Sequence, residues 1–245
     1  MKRLSMAATA FLLAIGVSAF AGVAGTPIFG AGNRLIVGNY NANLNSSDQV
    51  FVAQIEANGA IVVDEGHAVK YFQNKSADNI TGPDWTALDF DDSAWADGVN
   101  GVGYNSSQTT TLDDDDDQGA IFNRFAPFTI PNAGQVSTLI FRADYDDAFV
   151  AWLNGVEIAR SQTLTDAKVP EWNDFGENHE STNKPGPDPS RWTGAQSNIV
   201  GPAVDPDNPD GTIMVLDIAV TFGGVVAVEP AGKATMTWAD LKRWR

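Results

Sequence analysis

The stretch FRADYDDAFVAWLNGVEIAR, Phe141 to Arg160, reads as two β-strands joined at Asn154-Gly155. Phe149, Ala151 and Leu153 fall on one side of an extended chain and Val150 and Trp152 on the other, which is the period of a strand. Asn-Gly is the strongest short-range hairpin signal because both residues accept positive φ. Asp144, Asp146 and Asp147 crowd the entrance to this hairpin. Carboxylates so close repel one another unless water solvates them, turn amides hydrogen-bond them or a cation binds them. The three are therefore candidate metal ligands, with calcium the cation their hard oxygens suit.

Outward from this hairpin the same period recurs. Leu35-Ile36-Val37, Val50 to Ile55, Ile61 to Val63, Ala120 to Ile130, Val136 to Ala143 and Thr212 to Phe222 read as strands, with turns at Asn58-Gly59, Pro131 to Gly134 and Gly223-Gly224. Val225 to Val228 completes a last hairpin. Trp85, Phe90 and Trp95 punctuate a segment rich in Asp and Ser, which suits aromatic anchors holding an irregular connection onto a sheet. Ser161 to Gly211 is poor in strand formers and rich in Pro, Asn, Asp and Gly, and connections this long within one domain are functional or mobile. No internal repeat, heptad pattern or long amphipathic helix interrupts the pattern. The expected class is all-β, an antiparallel β-sandwich with long polar loops.

Four sequence blocks carry a resemblance: WTALDFDDSAW (Trp85 to Trp95), Gly101-Val-Gly-Tyr104, Phe122-Asn-Arg124-Phe125, and Asp146-Asp147 through Asn154-Gly155 to Arg160. In this order they resemble the galactose-binding-like jelly-roll domains of secreted bacterial multidomain proteins. VDEGHAVKYF, Val63 to Phe72, is similar to the strand that opens those domains, so the resemblance covers about Ile61 to Arg160. It implies a jelly-roll sandwich, a non-catalytic module that binds glycans or packs against a neighbouring domain, and a structural calcium. Fold alone does not fix function.

Lys2 and Arg3, the apolar run Met6 to Phe20 and the small residues of Ala19-Phe20-Ala21 match a secretory signal peptide over residues 1–21. The run is too short for a permanent span, and no later segment reaches the length of a transmembrane helix. The expected organisation continues with residues 22–60 as N-terminal strands covering the sandwich edge, 61–230 as the sandwich with its long loop 161–211, and 231–245 as a basic aromatic tail. The protein is expected outside the cell or on its surface. It has no cysteine, so packing, and a metal where one binds, must do the work that disulfides do in many exported domains.

Loss of Lys2 and Arg3 would take the formal charge from −16 to −18, which repels nucleic acid and anionic lipid. Residues 233–245 reverse the sign: Lys233, Lys242, Arg243 and Arg245 outweigh Asp240, and Trp238, Leu241 and Trp244 recur every three residues, near one face of a short helix. Such a segment docks on the acidic body, binds a protein partner or serves as a surface-attachment address.

Enzyme signatures are sparse. A thiol nucleophile is excluded, and His67 and His179 are the only histidines. His67 falls in a strand-like run, whereas His179, in Glu177-Asn-His-Glu180, is a loop residue with metal-ligand or base chemistry as the alternative. Carboxylate pairs of the glycosidase kind arise by chance among 31 acidic residues. The run Asp113 to Asp117 lacks the spaced ligands and glycine of an EF-hand loop and reads as a solvated loop. Asp205, Asp207 and Asp210, ahead of Gly211, alternate better and form a second candidate calcium set. Trp172, Trp192 and Arg191 in the long loop combine aromatic faces with a guanidinium, a pattern that stacks on and hydrogen-bonds a sugar, or else pins the loop to the body. The expected function is a secreted, non-catalytic carbohydrate-binding module stabilised by calcium, recognising a glycan or cell-surface polysaccharide. The alternative is a structural or adhesion protein of the cell surface or extracellular matrix that takes no small-molecule ligand.

Overall fold

A computed structural model describes residues 32–43, 47–75, 80–113, 119–131, 135–161, 164, 168–176, 178–199, 203–205, 210–221 and 224–227, with side chains only as far as 196 and from 210 to 218. The expected signal peptide, Asp114 to Asp117, Asp207 and the segment 231–245 lie outside the described residues.

Among the described residues fifteen strands follow in chain order: β1 (Leu35–Tyr40), β2 (Gln49–Ala57), β3 (Ala60–Val63), β4 (Ala68–Asn74), β5 (Ala96–Val99), β6 (Val102–Tyr104), β7 (Thr110–Thr111), β8 (Ala120–Phe125), β9 (Thr138–Asp146), β10 (Ala148–Leu153), β11 (Val156–Ser161), β12 (Gln196–Ile199), β13 (Ala203–Asp205), β14 (Ile213–Thr221) and β15 (Gly224–Ala227). One sheet runs β13-β11-β10-β1-β8-β4-β5; the other runs β12-β14-β9-β2-β6-β7, with β15 beside β14 and β3 beside β2. This is the all-β sandwich expected, antiparallel throughout except where β13, β12 and β7 pair parallel with β11, β14 and β6.

The period-2 pattern decides which side chains fill the space between the sheets. Leu35 and Val37 of β1, Phe51, Ala53 and Ile55 of β2, Phe141, Ala143 and Tyr145 of β9, and Phe149, Ala151 and Leu153 of β10 form one continuous core. Their neighbours of opposite parity are also buried, because irregular connections cover both outer faces. Ile36, Tyr40, Phe122, Val150 and Trp152 pack beneath Trp85 and Trp95, and the Trp85 ring lies flat on Phe122 at 3.9 Å. On the other sheet Val50, Val52, Ile213 and Val215 pack beneath Trp192.

The N-terminal strands do not cover an edge as expected. β1 lies between β10 and β8, and β2 between β9 and β6, in the middle of their sheets. All six residues of β1 are buried, as a strand covered on both faces requires. Both Asn-Gly turns form, with φ of 47° and 79° at Asn58 and Gly59 and of 53° and 79° at Asn154 and Gly155. The Asn154 side chain accepts from the Arg34 amide at 2.8 Å, locking the β10–β11 hairpin to the start of β1.

Gly103 in β6 is required by close approach. A Cβ there would sit 2.1 Å from the Gln49 carbonyl oxygen and 2.8 Å from the Val50 Cα, both backbone atoms of β2. Gly103→Ala is expected to force β6 away from β2 and to destabilise by about 3 kcal/mol or more; equilibrium denaturation that finds the variant within ~0.5 kcal/mol of wild type would show that the strands separate freely.

Candidate functional site

The β9 strand brings the decisive residues together. Ile140, Arg142, Asp144 and Asp146 share the parity opposite to its core residues, so they face the connection that runs between β11 and β12. Arg142 pairs with Glu56 at 2.9 Å. Beyond it, Asp144 and Asp146 are both fully buried by that connection.

Asp144 is half of an ionic clamp. Arg191, whose backbone lies in the short 3-10 turn Pro189–Thr193, donates from Nη1 to Asp144 and from Nε to Glu65 at 2.9 Å. The same guanidinium reaches the Ser107 hydroxyl at 3.2 Å and the Lys184 carbonyl. Asp144 also accepts from the Thr182 amide at 2.9 Å and the Thr182 hydroxyl at 2.5 Å, while Glu65 accepts from the Asp188 amide at 2.8 Å. The carboxylate expected to hold a cation is thus engaged by an arginine and by Thr182.

Arg191 and Trp192 are correspondingly not presented to a sugar. Arg191 is wholly buried in the clamp, and Trp192 is buried on the outer face of the second sheet. Arg191 has two carboxylates within reach, and burial of a guanidinium is tolerated when its donors are met in this way. Trp172 differs: it is half-buried, its ring edge against the Gly119 backbone, in the same loop as the exposed Phe175.

Asp147 is the one-residue link from β9 to β10 and so crosses from one sheet to the other. Its carboxylate accepts from the Ala42 amide at 2.7 Å and the His179 amide at 3.3 Å. Turn amides therefore engage this second of the three aspartates. His179 is buried and stacks on Tyr145 at 4.1 Å, with Nδ1 3.0 Å from the Tyr145 carbonyl. A carbonyl only accepts, so Nδ1 carries a proton, while the buried Nε2 has no hydrogen-bond partner among the described residues.

Asp146 remains, and the fold gives it partners that its sequence neighbours do not. Val50 pairs with Asp146 in the β2–β9 ladder, so Asp48, just ahead of β2, lies beside the end of β9. Glu180 arrives from the long connection. One carboxylate oxygen from each of Asp48, Asp146 and Glu180 lies within 4.8 Å of the others. Asp48 and Glu180 are half-buried, whereas Asp146 is fully buried. Asp146 Oδ2 accepts a long 3.3 Å bond from Ser106, whose hydroxyl is 2.9 Å from that of Ser181, and Oδ1 has no hydrogen-bond partner among the described residues. Burial first, then the charges of Asp147, Asp48 and Glu180, push the Asp146 carboxyl up to about 8, the Ser181 amide acting weakly the other way.

The second candidate set is described only in part, since Asp207 lies outside the described residues. Asp210 is exposed and accepts from the Glu180 amide at 3.4 Å, while the Gly211 amide donates to the Glu180 carbonyl at 2.8 Å. Asp210 thereby steadies Glu180. Only the backbone of Asp205, at the end of β13, is described. Asp48, Glu180 and Glu65 were not singled out as site residues. Glu180 adjoins His179 in a noted motif, but nothing local marks Asp48 or Glu65, whose roles depend on pairings across the fold.

In comparisons with known proteins, no family model, curated protein or solved structure matches the chain.

Proposed function

We propose that the chain is a non-catalytic β-sandwich module of an exported protein, of the galactose-binding-like kind, and that it acts as a structural or assembly unit of the cell surface. The observation that carries this reading is the inward placement of Arg191 and Trp192. The two side chains best suited to a sugar instead fasten the long connection over the second sheet. The first sheet is clad in the same manner: Arg124, fully buried, donates to the carbonyls of Trp85 at 2.5 Å and Ala87 at 3.0 Å and pairs with Asp92 at 2.9 Å. A sandwich whose irregular segments are riveted to both faces suits a rigid building block. The attachment element is the basic aromatic segment 233–245, opposite in charge to a chain of net charge −16.

Carbohydrate recognition is the second reading, and it rests on Trp172, half-exposed in the same loop as the exposed Phe175. The two readings separate in one pair of measurements. Deleting residues 233–245 is expected to release the protein from the cell surface into the medium, with no retention of the intact chain on a glycan array. Retention on the array that Trp172→Ala abolishes, together with surface association that survives the deletion, would overturn the assembly reading in favour of glycan binding.

A further inference from the structure

Three carboxylates from distant parts of the chain meet at the end of β9: Asp48 from the entrance to β2, Asp146 from the strand itself and Glu180 from the long connection. Bringing like charges this close is unfavourable in the absence of a counter-charge. The nearby guanidinium of Arg191 is directed at Asp144 and Glu65 instead. The buried Oδ1 of Asp146 supplies a second, independent observation, because a fully enclosed acceptor without a donor costs about 1–3 kcal/mol and more when charged. Convergent acids, and on their buried member an acceptor that no described donor meets, both favour a positive ligand.

The donor set specifies its class. All three ligands are hard oxygens, which favour calcium or magnesium over softer metals. Calcium holds oxygens at about 2.3–2.6 Å, so two ligands of one ion stand up to about 5 Å apart. The 4.8 Å spread meets that limit. The Ser106 hydroxyl beside Asp146 and water at the half-exposed Asp48 and Glu180 complete a shell of the usual size.

We infer that Asp48, Asp146 and Glu180 bind one hard divalent cation, calcium fitting best, and that the ion fastens the long connection to the end of the sandwich. The site differs from the sets expected from sequence, since Asp144 and Asp147 are engaged by protein donors. It is independent of whether the module binds glycans.

The test is calorimetric titration of the chelator-stripped full chain with calcium chloride at physiological ionic strength, which screens diffuse attraction to the acidic surface. Saturable one-to-one binding is expected, with Asp48→Asn and Glu180→Gln each weakening it by about tenfold or more. Calcium should also raise the melting temperature of wild type and leave that of the double variant unmoved, because a ligand bound only by the native state stabilises it. Both substitutions are at half-buried positions, and Asp97→Asn, at a side chain 85% exposed, serves as the control that binds like wild type. Absence of saturable binding at ~1 mM calcium, or binding that the double variant retains, overturns the inference.

Discussion

Arg191→Ala is expected to destabilise the protein by about 3–5 kcal/mol, because it leaves Asp144 and Glu65 buried without their cation. For a domain of this size that corresponds to a fall in melting temperature of roughly 10 °C or more. The Arg191 and Asp144 side chains are wholly buried and Glu65 is 4% exposed, so solvent screens none of this charge to any useful extent. Arg191→Lys should fall between wild type and Arg191→Ala. An ammonium carries the charge, but it lacks the planar fork that reaches Glu65 from Nε and Asp144 from Nη1 together. Adding Glu65→Gln to Arg191→Ala should recover part of the loss, since one uncompensated carboxylate is removed, whereas Glu65→Gln alone should destabilise. Urea denaturation of the four chains measures the coupling directly. Additive effects, or an Arg191→Ala loss below ~1 kcal/mol, would show that the clamp does not hold the connection to β9.

The legible parts of this fold are those written in short-range patterns. The alternation in AFVAWL separates Phe149 and Leu153 from Val150 and Trp152 whatever the rest of the chain does, and Asn154-Gly155 admits few structures other than a hairpin. Trp85 and Trp95 were legible as anchors because an irregular Asp- and Ser-rich segment needs apolar contacts to lie down. The position of β1 differs from the edge expected, although LIVGNY carries a clue: both faces are apolar enough to be buried, which points to a central strand. The site was less legible for a different reason. A guanidinium between tryptophans has the same composition whether it faces a sugar or a buried carboxylate, and the distinction here rests on Glu65, 126 residues away in sequence. Likewise Asp144, Asp146 and Asp147 look equivalent in DYDD, yet strand parity and the sheet-to-sheet corner send one to an arginine, one to two backbone amides and one to Asp48 and Glu180. Local sequence showed that carboxylates crowd together, but only the tertiary fold assigns a partner to each.

The same division predicts how the metal-free protein responds to pH. Asp146 lies near Asp48, Asp147 and Glu180, with the Ser106 hydroxyl donating to it and that of Ser181 next to Ser106, and its folded carboxyl titrates at about 8 against 3.8 for an unperturbed aspartate. Between those values the native state keeps a proton that the unfolded chain has released. Stability from this group is therefore greatest in acid, falls by up to about 1.4 kcal/mol per pH unit from about pH 4 to about pH 8, and levels off above. Asp91, Asp174 and Asp188 have folded values below the usual carboxylate range, so their contributions are lost only on the acid side. Subtracting a variant that keeps them removes their effect. Asp146→Asn is that variant, since an amide matches the size of the protonated acid and cannot ionise. The two proteins should have nearly equal stability near pH 4, and the variant should exceed wild type by several kcal/mol near pH 8. Chelator must be present throughout, because a bound cation would hold the carboxylate ionised and reverse the order. Denaturation midpoints whose difference stays flat from about pH 5 to pH 8 would mean that Asp146 is ionised in the native state and that the fold already supplies it with a counter-charge.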